Sequence, residues 1–216
     1  YSNIYDDDIY TNAGLESDYG TGSRESNLEC NFDKGVTIEF WLKKAAFADS
    51  KTHKEVIFDI WNGEDSGVHN YGRLTLALSG GAAGANAPFI LTIVSGSTYF
   101  KEKVLGSSQV TKGTVSDGSW KHYALTMQNS GSKFLTKLYI TGALDSTTSN
   151  AGNFGTLPSK TSTSGAMGGR IGALKTSAYG FGLTSAGAGK LSASLDEFRF
   201  WKVARNSDEI GKNWFT

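Results

Sequence analysis

The alternation of apolar and polar positions is clearest in VTIEFWLK, residues Val36–Lys43. Val36, Ile38, Phe40 and Leu42 share one face, and Thr37, Glu39, Trp41 and Lys43 the other. WKHYALTMQ repeats the pattern, with Tyr123, Leu125 and Met127 opposed to Trp120, His122, Ala124 and Thr126. Further short runs, at Asn27–Phe32, Glu55–Trp61, Arg73–Leu78, Phe89–Val94, Thr98–Val104, Phe134–Thr141, Arg170–Leu174 and Ala178–Leu183, read as strands. Turn chemistry such as Asp33-Lys34-Gly35 and Ser95-Gly96-Ser97 separates them. Residues 1–26 form an irregular leader with an edge strand near Asn3–Tyr5, and Gly142–Ala166 reads as a long Ser/Thr/Gly/Asn loop. No helical period occurs before Asn206. Short strands at regular intervals without helical alternation predict an all-β fold, an antiparallel β-sandwich filling residues 27–216.

The end of the chain is the most specific unit. In LDEFRFW, strict alternation puts Asp196 beside Phe198 and Phe200 on the core face, opposite Glu197, Arg199 and Trp201. A core-directed carboxylate needs a partner, because a buried charge is costly unless paired, hydrogen-bonded or metal-bound. After this strand, Asn206 reads as a helix N-cap with Glu209 closing a capping box, and Ile210 and Trp214 anchor a short C-terminal helix.

Bulk properties then narrow the function classes. Lys plus Arg equals Asp plus Glu at 21 each, which lacks the basic footprint of a nucleic-acid partner. No apolar run is long enough for a membrane span. The lone cysteine, Cys30, forms no internal disulfide and reads as a small buried hydrophobe. The sequence starts at Tyr1 and reads as a domain of something longer. One His-rich spacing would signal zinc, and three scattered histidines with one cysteine do not supply it.

Five blocks, VTIEFWLK, WKHYALTM, LYITGALDS, RIGAL and LDEFRFWKVARNSDEI, resemble in kind and order the laminin-G-like, concanavalin A-like lectin and glucanase superfamily. The resemblance implies a jelly roll of two curved antiparallel sheets of six or seven strands, with a concave face that presents ligand contacts. It also implies binding of glycans, cell surfaces or proteins at an extracellular, cell-surface or virion location, and often calcium. Related folds place calcium on the aspartate of the closing strand, here Asp196, with early donors from Asp33, Glu29 or Asp6–Asp8. The alternative is that Asp196 accepts backbone N–H groups. The glucanases of this fold carry Glu-x-Asp-x-x-Glu, which no stretch of this chain contains, so no enzyme is expected.

Two ligand surfaces are candidates. The loop after the Glu55–Trp61 strand gathers Trp61, Asn62, Asp65, His69 and Tyr71, an aromatic face with amide and carboxylate groups of the kind that hold a pyranose. The other reading is a solvated rim loop with Trp61 in the core. The outward strand faces carry Glu39, Trp41, His122, Tyr139 and Trp201, either a binding surface or a second small core. These features fit a carbohydrate-binding or adhesion module, linked to other domains of a larger protein. The alternative is a structural or decorating domain of a phage or viral particle that makes protein contacts.

Overall fold

A computed structural model describes residues 2–5, 28, 30–47, 54–62, 71–80, 87–157, 168–175 and 188–215. Thirteen strands run along them: β1 (Ser2–Tyr5), β2 (Cys30–Asn31), β3 (Val36–Lys43), β4 (Lys54–Trp61), β5 (Gly72–Ser79), β6 (Phe89–Ser95), β7 (Thr98–Leu105), β8 (Trp120–Ser130), β9 (Lys133–Ile140), β10 (Ala143–Ala151), β11 (Thr156–Leu157), β12 (Gly168–Ile171) and β13 (Ser194–Trp201). One sheet has six strands in the order β1-β12-β4-β5-β6-β7, the other five in the order β10-β9-β8-β3-β13, and β11-β2 forms a small ribbon. Every pairing is antiparallel. The resemblance implies six or seven strands in each sheet; the second has five among the described residues.

The two sheets close on one core. Val36, Ile38, Phe40 and Leu42 of β3 and Tyr123, Leu125 and Met127 of β8 meet Leu74, Leu76 and Leu78 of β5 and Phe89, Leu91 and Ile93 of β6. Tyr123 stacks on Phe40 at 5.9 Å and meets the Phe89 ring at 4.8 Å, bridging the layers. Cys30 is fully buried, as its neighbours in sequence predict.

Three departures from the sequence reading have plain causes. Within Gly142–Ala166, residues Ala143–Ala151 form β10, paired along β9 from Ala143↔Ile140 to Ala151↔Lys133. Its polar sequence, ALDSTTSNA, suits an edge strand, where no second face has to be buried. A one-turn helix, α1 (Lys112–Val115), precedes β8, closed by a capping box between Thr111 and Thr114. The strand expected at Ala178–Leu183 lies outside the described residues.

The third departure concerns Asp196. Register along β13 runs Leu195↔Leu42 and Asp196↔Trp41, then resumes at Arg199↔Glu39, so β13 carries one extra residue. Glu197 absorbs this bulge with φ +49°. The insertion reverses the parity. Leu195, Phe198 and Phe200 pack against the core, with Phe198 and Phe200 ring centroids 4.9 and 5.9 Å from that of Phe58. Asp196 faces outward and is exposed, and its Oδ1 accepts the N–H of Glu197 at 2.8 Å. The expected core-facing carboxylate is therefore a surface residue closing its own bulge.

Candidate functional site

The C-terminal helix, α2 (Ser207–Asn213), decides the fate of the outer face of the five-stranded sheet. Asn206 caps it as the sequence predicts, its side chain accepting from the Glu209 N–H at 2.9 Å while Glu209 Oε2 accepts from the Asn206 N–H at 2.7 Å. Ile210 is fully buried against Ala124 and Tyr139. Trp214 lies 5.7 Å from the Trp41 ring and 6.3 Å from that of His122. Gly142 makes room: φ is +79°, and a Cβ there would stand 2.3 Å from the Trp214 ring.

Beneath this cover sits a small polar cluster. Arg205 Nη1 donates to Glu39 Oε1 at 2.5 Å, and His122 Nε2 lies 3.7 Å from Glu39 Oε2. Glu39 Oε2 and His122 Nδ1 have no hydrogen-bond partner among the described residues. Burial pushes the Glu39 carboxyl up, but His122 and Arg205 outweigh it and hold the group below the usual carboxylate range. This face is a second core with a buried ion pair. Of the outward residues expected to form either a surface or a small core, Glu39, Trp41, His122 and Tyr139 join the core, whereas Trp201 is 37% exposed with the Arg205 guanidinium 4.6 Å from its ring centroid.

The six-stranded sheet treats its outer face differently. Phe58 and Ile60 enter the core, so Asp59 and Trp61 point the other way. Asp59, opposite Thr75, and Arg73, opposite Trp61, reach diagonally across β4 and β5 into a bidentate pair, Nε to Oδ1 at 2.9 Å and Nη2 to Oδ2 at 2.5 Å. Thr75 Oγ1 donates to Asp59 Oδ1 at 2.6 Å, and the Lys175 N–H donates to Oδ2 at 2.7 Å. Arg73 Nη1 also reaches the Tyr71 hydroxyl at 3.4 Å. Burial pulls the Arg73 guanidinium down, yet Asp59 and Tyr71 more than compensate and leave its pKa above the ordinary value. On the inner side of this sheet, Glu55 stands opposite the core residue Leu78 and pairs with Lys44, just past β3, at 2.7 Å, closed by the N–H and carbonyl of Ser192.

One register row crosses this face. Gly168 stands opposite Trp61, Trp61 opposite Arg73, Arg73 opposite Val94 and Val94 opposite Tyr99. Directly opposed residues share a face. Trp61 at one end is half-buried and Tyr99 at the other is 58% exposed, while Arg73 and Val94 between them are buried. Three strand spacings separate the two rings by about 14 Å. The Lys101 ammonium sits 4.5 Å from the Tyr99 ring centroid. The Lys175 side chain lies over Gly168, where a Cβ would approach its Cε to 2.9 Å.

The sequence candidates fall unequally on this frame. Trp61 belongs to the row. Asn62 and Tyr71 are buried at the base of the β4–β5 connection rather than facing solvent: the Asn62 side chain accepts the Gly72 N–H at 3.0 Å, and the Tyr71 hydroxyl accepts from Arg73. Asp65, His69, Glu29 and Asp6–Asp8 lie outside the described residues. Asp33 is exposed and accepts from Asn129 Nδ2 at 2.7 Å. It precedes Val36, whereas Asp196 pairs opposite Trp41, about 17 Å further along β3. Ligands of one calcium ion lie within about 5 Å of each other, so the fold does not bring Asp33 and Asp196 together. Among the described residues no group of three or more His, Cys, Asp and Glu converges on a metal-sized site.

Asp59 and Arg73 escape a sequence reading built on alternation alone. The signal for them is an acidic residue in the middle of one apolar strand, Asp59 in EVIFDIW, and a lone basic residue in the next, Arg73 in RLTLAL. Tyr99 is missed because TYFKEKV alternates about an edge strand whose outer residues are not all polar.

A family model described as the concanavalin A-like lectin/glucanases superfamily matches residues 16–211. Among solved structures, the chain is similar to the Ruminococcus gnavus IT-sialidase CBM40, with 13% identity and a TM-score of 0.54 over 84% of this chain and 83% of that one. It is also similar to the same domain bound to alpha2,6 sialyllactose, with 15% identity and a TM-score of 0.51 over 83% and 82%. At such identities the likeness shows the fold. No curated protein matches the sequence.

Proposed function

The chain belongs to the concanavalin A-like lectin/glucanase superfamily, and we propose from that premise that it is a non-catalytic glycan-binding module of a surface-exposed or extracellular protein. The observation that carries this reading is the row on the outer face of the six-stranded sheet. Two accessible aromatic rings, Trp61 and Tyr99, stand at its ends, and the buried Asp59–Arg73 pair fixes the strands between them. Aromatic rings offer an apolar surface to the C–H side of a sugar, and the neighbouring Lys101 and Lys175 add cationic donors for hydroxyls or a carboxylate. The similar solved domain is described as bound to sialyllactose, which makes sialylated oligosaccharides the first ligands to try. No helix among the described residues is long and apolar enough to cross a membrane.

The experiment is a glycan array probed with the wild-type chain and with Trp61→Ala and Tyr99→Ala. Binding above background that both substitutions weaken supports the proposal. An array without binding refutes it.

A protein-contact role is the second reading. Val203 at 51% and Phe215 at 66% exposure stand close to the α2 cover and favour it. Self-association or partner binding lost on Phe215→Ser, together with a blank array, would select it.

A further inference from the structure

A cleft of about 170 Å³ opens at the edge of the sandwich, between the segment around α1 and the β8–β9 pair. Its walls are the aliphatic side chains of Val110, Val115 and Ile140. Tyr123 also lines it. This phenol is 1% exposed, and its hydroxyl makes no hydrogen bond with any described residue. A tyrosine hydroxyl carries one donor and can also accept, so this one is available to whatever occupies the cleft. Burial, with the Asp117 carboxylate adding to it, pushes the phenol pKa well up, so the group stays a neutral donor.

The charges around the opening are already spent on the protein. Asp145 accepts the Ser107 N–H at 2.7 Å and its hydroxyl at 2.6 Å. Lys121 donates to Asp117 at 2.5 Å and to the Thr114 carbonyl. What remains for a ligand is neutral: the Tyr123 and Thr141 hydroxyls and the Gln109 amide, set against an aliphatic wall. Thr141 is held at φ +50°, an uncommon conformation for a β-branched residue. At about 30 Å³ for each liquid water, the cleft has the room of five or six waters, which is that of one small ring.

We infer that this cleft is a binding subsite for a single uncharged, hydroxylated ring of monosaccharide size, separate from the Trp61–Tyr99 row. Tyr123 donates to a ligand hydroxyl, and the C–H face of the ring lies on Val110, Val115 and Ile140. The cleft neighbours the Phe89 end of β6, whereas the row crosses β6 at Val94, so the two surfaces are about 17 Å apart along the strand. The inference stands whether or not the row binds a glycan.

The test titrates the chain with glucose, galactose, mannose and N-acetylglucosamine at millimolar concentration and follows the methyl resonances of Val110, Val115 and Ile140 by NMR. At least one sugar is expected to shift them, and Tyr123→Phe is expected to weaken that sugar about tenfold, the loss of one hydrogen bond. Tyr123→Phe removes only an unpaired oxygen, so its melting temperature is expected to equal or exceed the wild-type value. Trp61→Ala is expected to leave the methyl shifts intact, which separates this site from the row. The inference is overturned if no sugar moves these methyls, or if the affinity survives Tyr123→Phe unchanged.

Discussion

The two sheets of this sandwich both bury the centre of their outer faces, but by opposite means. The five-stranded sheet is sealed by a helix: Ile210 and Trp214 press onto Ala124, Tyr139 and Trp41, and a single carboxylate, Glu39, is neutralised by Arg205 from the same closing segment. The outer face of the six-stranded sheet carries the buried Asp59–Arg73 pair instead, finished by the Thr75 hydroxyl and the Lys175 N–H. The apolar cover gains stability by removing surface from water. The Asp59–Arg73 pair gains little net stability, since desolvation consumes much of its attraction. Each outer face thus holds a buried ion pair, but the six-stranded sheet leaves Trp61 and Tyr99 accessible beside its pair, whereas the helix covers its counterpart.

Breaking one partner of the ion pair gives the largest effect. Asp59→Ala leaves the Arg73 guanidinium buried without its counter-charge and is expected to cost about 3–5 kcal/mol in chemical unfolding. Replacing both groups with apolar ones, as in Asp59→Leu with Arg73→Met, is expected to recover most of that loss while weakening glycan binding. A double variant as unstable as the single one would show that the pair serves stability after all. On the other sheet, Ile210→Ala is expected to cost about 2–4 kcal/mol through the cavity it opens under α2, with glycan binding at the row unchanged.

Acidification sharpens the contrast further. The folded-state pKa of Glu39 is depressed, so its contribution is complete above the ordinary carboxylate range and is lost as the pH falls through the lower, folded value. Melting curves across that acid range are expected to fall more steeply for the wild type than for Glu39→Gln, whose side chain does not titrate. Equal slopes would remove Glu39 from the acid response.

The general architecture was legible from alternation, because β3 and β8 are strands whose core face is uniformly apolar. The N-cap at Asn206 was legible as well, since its capping box depends on local spacing alone. Asp196 was not, because one inserted residue reverses every side chain beyond it, and the sequence LDEFRFW reads equally well with or without the bulge. Nor was β10, whose polar residues pair along an edge and leave no hydrophobic period. Of the candidate site, Trp61 was placed on an accessible position, while Asn62 and Tyr71 turned inward, since hairpin bases use the same amide and aromatic residues that sugar sites use. Tyr123 was legible as a core residue, but the cleft beside its hydroxyl arises from α1 and the β9–β10 turn, which alternation does not register.

The smallest expected effect bears on the bulge. Glu197 holds φ +49°, a region asparagine tolerates better than glutamate. Glu197→Asn is expected to gain a few tenths to about 1 kcal/mol in thermal unfolding, with binding on both sheets unaffected. A loss of stability there would mean that the Glu197–Arg199 pair, 2.7 Å apart, outweighs the backbone strain.

The most direct measurement compares the indole N–H resonances of the five tryptophans during titration with a sialylated trisaccharide. The resonance of Trp61 on the six-stranded sheet is expected to move in a saturable way, while those of Trp41 and Trp214 beneath and within the helical cover stay fixed. Movement of Trp41 and Trp214 with Trp61 stationary would assign binding to the wrong sheet and contradict the account.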